Sequence, residues 1–276
     1  MVHISIDSCA DLSQDLLERH QLRMIPLHVL VNGVDHYDND LTLAQLFASV
    51  DQTNTLPKTA APSVLEFVQF FDVEGENIYF GLSSQLSATM QNAQLSKDQL
   101  QNPELFLVDS LNLSTGIGLL ALKAADLRDE GWSAQEIVDH VTNLRSKVRT
   151  SFVIDTMEYL HKGGRCTGVQ AFVGSMLKIR PIIHVQEDGA LGVLDKVRGS
   201  RRKALSTLLA GFAANLPHVD LTRVFVTHSG CESDAEYLAE ELNNLAPIQN
   251  VLITEAGATI GSHCGPNTIG ILYITD

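Results

Sequence analysis

The chain has 276 residues, with 33 Asp plus Glu against 19 Lys plus Arg, a formal net charge of −14 and 45% apolar residues. That length suits one large or two ordinary domains, each burying its own core. The acidity excludes a general nucleic-acid or anionic-membrane surface, because phosphate binding needs a clustered cationic footprint.

Cys9, Cys166, Cys231 and Cys264 are scattered, with no C-x-x-C pair and no His at metal-ligand spacing, so neither a disulfide nor a zinc framework is expected. No apolar run approaches the ~18 residues of a membrane span, and the start has no basic stretch followed by a long apolar one. The expectation is a soluble cytoplasmic protein with no stable membrane insertion.

In chain order, His3–Ile6, Met24–Val31, Ile78–Leu82 and Leu105–Val108 read as strands, with helical patterns between and after most of them. Ser63-x-x-Glu66, Ser133-x-x-Glu136 and Ser233-x-x-Glu236 each fit a capping box at a helix start. After the second, Ile137, Val141, Leu144 and Val148 step along one helix face, with Asp139, Asn143 and Lys147 opposite. From about residue 150 a new series of strands begins: Phe152–Ile154, Pro181–Val185, Gly192–Val197, Arg223–Thr227, Asn250–Thr254 and Gly270–Ile274. The expected fold class is therefore α/β, with an N-terminal domain at 1–150 and a C-terminal domain at 151–276. No Pro- or Ser-rich linker separates them, so a broad shared interface is expected.

Three first-half strands end in small polar pairs, Asp7-Ser8, Ser83-Ser84 and Asp109-Ser110. Singly, each suits a helix cap; together they favour a ligand-facing edge, since ligands of open parallel sheets bind outside the carboxyl ends of strands. The turn Ser83–Gln91 is rich in hydroxyls and lacks a Gly-x-x-x-x-Gly-Lys pattern, so a carboxylate or single phosphate suits it better than a nucleotide. Thr59 precedes the Ser63 cap and reads alone as a turn residue. His161–Arg165 is a turn with paired glycines and a guanidinium fork, or simply a flexible surface turn. His263 lies between Gly261 and Gly265 just before the final strand; a binding role and a structural one are evenly weighted there.

Taken together, Asp7-Ser8, Lys58-Thr59, Ser83-Ser84-x-Leu86-Ser87, Lys162-Gly163-Gly164-Arg165, Val197-Arg198 and Gly261-x-His263-x-Gly265-Pro266 resemble, in order and spacing, the DegV family over the entire chain. The resemblance implies two α/β domains with a ligand cleft between them. It implies one bound long-chain fatty acid, presented to a separate fatty acid kinase that makes the acyl phosphate. By the same resemblance Thr59, Ser87 and His263 hold the carboxylate with Arg165 nearby, and no cofactor or metal is implied. The family commonly has Ser at Ala60 and Gly at Ala88 and Asn267; Asn267 can still take the left-handed backbone of a Gly.

Ala171–Leu177 reads as a wall of the acyl tunnel or as an ordinary core helix. Arg198, Arg201, Arg202 and Lys203 are expected to dock the kinase: with Ser200 as N-cap, the last three fall in a first helical turn, where cations oppose the dipole. No nucleophile, base and oxyanion hole assemble in the pattern, so no catalytic residue is assigned. The competing class is a hydrolase or phosphotransferase using Asp7, Asp109 and His263 around the same cleft; a pure interaction protein would need no hydroxyl-lined cleft.

Overall fold

The alternating pattern becomes three sheets in the computed structural model, which describes residues 2–165 and 179–276. The N-terminal half opens with β1 (Val2–Asp7), α1 (Gln14–Arg19), β2 (Leu22–Ile25), β3 (His28–Val31), β4 (Val34–Tyr37), α2 (Leu43–Thr53), β5 (Lys58–Ala60) and α3 (Val64–Phe71). It continues through β6 (Glu76–Gly81), α4 (Thr89–Leu100), β7 (Leu105–Asp109), α5 (Thr115–Asp129) and α6 (Ala134–Leu144). β2, β1, β6 and β7, in that order, form an all-parallel sheet. β4, β3 and β5 form a small antiparallel sheet beside it.

The second half holds β8 (Val148–Val153), α7 (Glu158–Lys162), β9 (Ile179–Val185), β10 (Leu191–Arg198), α8 (Arg201–Asn215) and β11 (Val219–His228). It ends with α9 (Glu232–Leu245), β12 (Val251–Glu255), α10 (Ala258–Cys264) and β13 (Ile269–Thr275). Its six strands run in the order β10-β9-β8-β13-β11-β12, antiparallel except for β11 beside β12. The fold class is thus α/β as expected.

α5 lies between the two large sheets. Its apolar residues Ile117, Leu119, Leu120, Leu122 and Leu127 surround the whole helix and are all buried, the pattern of a helix enclosed on every side. They belong to one core that includes Ile4, Ile78 and Phe80 from the first sheet and Phe152, Phe225 and Leu272 from the second. A partly buried ion pair, Arg223 on β11 with Asp126 on α5, crosses the same junction.

Several expectations need correction. Met24–Val31 is two strands in different sheets, because Pro26 offers no N–H to a ladder and interrupts the run. Val148 is not on the helix face with Ile137 and Val141: α6 ends at Leu144, a 3-10 turn spans Arg145–Lys147, and Val148 starts β8. The Ser63 and Ser133 capping boxes form, and so does an unforeseen one at Thr42 and Gln45. The Ser233 box does not, because α9 already starts at Glu232 behind Cys231. Residues 171–177 lie outside the described residues.

Candidate functional site

The first sheet changes direction between β1 and β6: the chain moves from β1 outward to β2, then returns to β6 on the other side. Such a switch point leaves a crevice beyond the strand ends. Past the ends of β2 and β6 lie Leu27, Leu82, Leu86 and Ser87, and all four line a cleft closed from the other half by Leu160, Arg165, Leu191, Ile260 and His263. The cleft is narrow and opens to solvent on one side.

Thr59, Ser87, Arg165 and His263, four residues from four separate parts of the chain, meet at this cleft. Thr59 sits on β5, paired with Val29 of β3, and its Oγ1 is 2.8 Å from His263 Nε2. Ser87 lies just before α4; its Oγ accepts from Thr89 N–H at 3.2 Å and is 2.8 Å from the buried Thr89 Oγ1. If Thr89 donates in that pair, the Ser87 proton is left for the cleft. Arg165 donates from Nε to Leu86 O (3.1 Å) and from Nη1 to Gly163 O (2.7 Å), which fixes the guanidinium beside the cleft.

His263 is in the last turn of α10. Burial, aided by the charge of Arg165, pushes its imidazole down to about 4, so the ring is neutral at neutral pH. Nδ1 has no hydrogen-bond partner among the described residues and packs against Gly163, where any Cβ would collide with the ring and with Tyr159 O. Gly164 follows with φ +74, a left-handed turn that returns the chain to Arg165. Asn267 takes φ 59, the left-handed geometry foreseen for it.

The strand-end Asp and Ser residues behave differently from the expectation. Asp7 accepts from Cys9 N–H, Leu82 N–H and Tyr79 OH; Ser83 donates to Gly189 O, and Ser110 to Gly81 O. Asp109 accepts from Ser84 and Leu111 N–H. Buried polar groups must be satisfied locally, so these residues shape the turns, and the cleft is reached through Leu82, Leu86 and Ser87 instead. Asp7 and Asp109 do not line the cleft with His263, which removes the geometric basis for the hydrolase or phosphotransferase alternative.

A second small cavity lies beside the first and shares Leu113, Ile260 and Cys264 with it. Four of its five hydroxyl side chains are engaged within the protein. Ser114 donates to Asp11, Thr150 to Asn112 Oδ1 and Thr268 to Cys264 O, while Thr227 bonds Thr115 and Thr254. Ser229 is the exception. Phe152 and Leu272 complete the apolar wall.

Of the basic residues assigned to docking, Arg198, Arg202 and Lys203 are exposed. Arg201 is not available in the same way: its guanidinium bonds Asp155 (3.0 Å) and Asp234 (2.5 Å). Arg202 stacks over the Tyr237 ring at 3.4 Å. These contacts, unseen in the sequence, account for two of the first-turn cations. No cluster of metal-ligating side chains occurs among the described residues, and no described helix is long and apolar enough to cross a membrane.

The fold and site together define an α/β protein with a half-open apolar cleft lined also by Thr59, Ser87, Arg165 and His263. A family model described as "Uncharacterised protein, DegV family" matches residues 1–276, and the chain belongs to the DegV family. It is 30% identical to Protein DegV of Bacillus subtilis over 99% of this chain and 98% of that one. A DegV family protein from Thermus thermophilus, solved as a fatty-acid-binding protein, superposes with TM-score 0.93 at 30% identity, covering 100% and 99% of the two chains. The B3 protein of Streptococcus pneumoniae fatty acid kinase, solved loaded with linoleic acid, shares the fold at 22% identity, TM-score 0.88 and full coverage of both chains.

Proposed function

We propose that this chain binds one long-chain fatty acid, with the carboxylate at Thr59, Ser87, Arg165 and His263 and the tail running past Leu113 into the second cavity. It acts without catalysis of its own, presenting the carboxylate to a separate fatty acid kinase. The observation that carries this reading is two neighbouring apolar cavities that share Leu113, Ile260 and Cys264, one of them also lined by Thr59, Ser87, Arg165 and His263. The fatty-acid binding of the Thermus relative supports it.

The physics suits such a ligand. About fourteen methylenes of a sixteen-carbon tail, at ~0.8 kcal/mol each, offer on the order of 11 kcal/mol gross, of which association consumes ~4–15 kcal/mol. The tail supplies affinity and the head group sets register. A neutral His263 donating from Nε2 to Thr59 Oγ1 leaves the Thr59 proton for the carboxylate, and Arg165 offsets its charge.

Native mass spectrometry with lipid extraction tests the binding: one fatty acid per chain is expected, and delipidated protein should gain thermal stability when the acid is added back. Absence of lipid, and no shift with any acid of ten to twenty carbons, would refute it. Thr59→Val, Ser87→Ala and His263→Ala each delete a partner of a charge-assisted hydrogen bond worth ~1.5–3 kcal/mol. Each is expected to retain lipid and lose kinase-dependent phosphorylation; parent rates in all three would displace the head-group site.

The exposed Arg198, Arg202 and Lys203 form the docking surface in this reading. Arg198→Glu with Lys203→Glu should leave lipid content and melting temperature nearly unchanged, while acyl-phosphate formation slows and becomes less salt-sensitive. Unchanged rates at both low and high salt would remove this surface.

A further inference from the structure

α10, which carries His263, has no cap of its own. Its N-cap is Gly257, which has no side chain to cap it, and among the described residues no side chain from its own half takes the first-turn N–H groups. Two carboxylates from the N-terminal half do so. Asp11 Oδ1 accepts from Gly257 N–H at 2.7 Å, and Asp38 Oδ1 accepts from Thr259 N–H at 2.8 Å. Both aspartates are buried, and Asp11 is itself held by the Ser114 hydroxyl at 2.5 Å.

Asp38 also reaches the other side of the site. Its backbone N–H donates to Leu27 O at 2.9 Å, one residue before β3, and β3 carries the ladder that places Thr59 on β5. One residue therefore ties down both members of the Thr59–His263 pair: α10 through its side chain and the β3–β5 ladder through its backbone. A helix of seven residues has too few internal hydrogen bonds to hold its own position. From Thr259 to His263 is about 6 Å along the axis, so a shift at the capped end is passed directly to the imidazole.

We infer that Asp38, assisted by Asp11, is a positioning residue for the carboxylate site, fixing His263 against Thr59 from the opposite half of the chain. This deepens the fatty-acid reading above and rests on it. Burial raises the Asp38 carboxyl above its ordinary value, against donors on Ser8 and Thr259. An asparagine, which keeps an uncharged acceptor at Oδ1, is therefore the conservative replacement.

The test uses delipidated full-length parent, Asp38→Ala and Asp38→Asn, with hexadecanoic acid and 1-hexadecanol competing against a fluorescent fatty acid, and an NMR titration of the His263 ring. Asp38→Ala should weaken the acid at least tenfold and the alcohol less than twofold, and His263 should titrate closer to 6.5 than to the parent's value of about 4. Asp38→Asn should restore most of both. Equal weakening of acid and alcohol, or an acid preference and His263 titration unchanged in Asp38→Ala, would overturn the inference. If the parent itself does not prefer acid to alcohol, the carboxylate reading fails, while the His263 titration still decides whether Asp38 positions the ring. Should Asp38→Ala not fold, Asp38→Ser, which keeps a shorter oxygen, is measured against the same two outcomes.

Discussion

Asp7→Asn and His263→Gln are expected to tilt the pH profile of stability in opposite directions between about pH 4 and 7. Asp7 is buried at the end of β1, and burial pushes its carboxyl up to about 7 in spite of three donors. Its folded pKa lies above the unfolded one, so its contribution is fully present below pH 3.8 and is lost as pH rises through about 7. At ~1.4 kcal/mol per pH unit that amounts to roughly 4 kcal/mol. His263 has the reverse sign. Its folded pKa of about 4 lies below the ordinary 6.5, so its contribution is present above pH 6.5 and is lost as pH falls through about 4, roughly 3 kcal/mol.

The two windows overlap, and in the parent the slopes largely cancel. Relative to the parent, Asp7→Asn should therefore become progressively more stable as pH rises from 4 to 7. His263→Gln should become progressively less stable from pH 4 to 6.5. Asp7→Asn carries a fixed cost as well, because an amide nitrogen replaces one of two oxygens that accept from Cys9 and Leu82, leaving a buried N–H unpaired at ~1–3 kcal/mol. Urea unfolding at pH 4.5, 5.5, 6.5 and 7.5 measures these differences, and other titrating groups drop out of the comparison. Parallel profiles for all three proteins would contradict the burial of both charges.

The strands and two of the three foreseen capping boxes were legible because their signals are local: β-branched runs for the strands, Ser and Glu three apart for the boxes. The small antiparallel sheet was not, since Val34–Tyr37 is largely polar and Lys58–Ala60 is only three residues long. That is why Thr59, read alone, looked like a turn residue, although it sits in a ladder that faces it toward a histidine 204 positions away. Thr59, Ser87, Arg165 and His263 were identified by family resemblance, and the structure brings them to one cleft.

Long-range satisfaction carries no local signal. Nothing near Arg201 announces Asp155 and Asp234, and nothing near Asp11 or Asp38 announces a helix more than two hundred residues away. The N-cap of α10, Gly257, has no side chain to supply an acceptor for the first-turn N–H groups.

If the chain binds a fatty acid as proposed, Leu113→Trp is expected to shorten the acyl chain it accepts. Leu113 is buried in the turn before α5, with its N–H donating to Asn112 Oδ1, and its side chain lines both cavities where Ile260 and Cys264 also meet them. An indole there would fill the space where the two cavities meet and would deny a tail the second one. If four of the methylenes lie beyond it, at ~0.8 kcal/mol each, affinity for a sixteen-carbon acid falls by about 3 kcal/mol, more than a hundredfold. An acid short enough for its tail to stay in the first cavity, ten carbons on this reading, should bind within threefold of the parent. The larger side chain also strains the core by ~1–3 kcal/mol, so Leu113→Met, which nearly conserves volume, is the control and should match the parent at every length. Calorimetry with saturated acids of eight to eighteen carbons reads the outcome: affinity rises with each added pair of carbons in the parent and stops rising earlier in Leu113→Trp. Parallel rises in the two proteins would mean that the tail leaves the first cavity by another route.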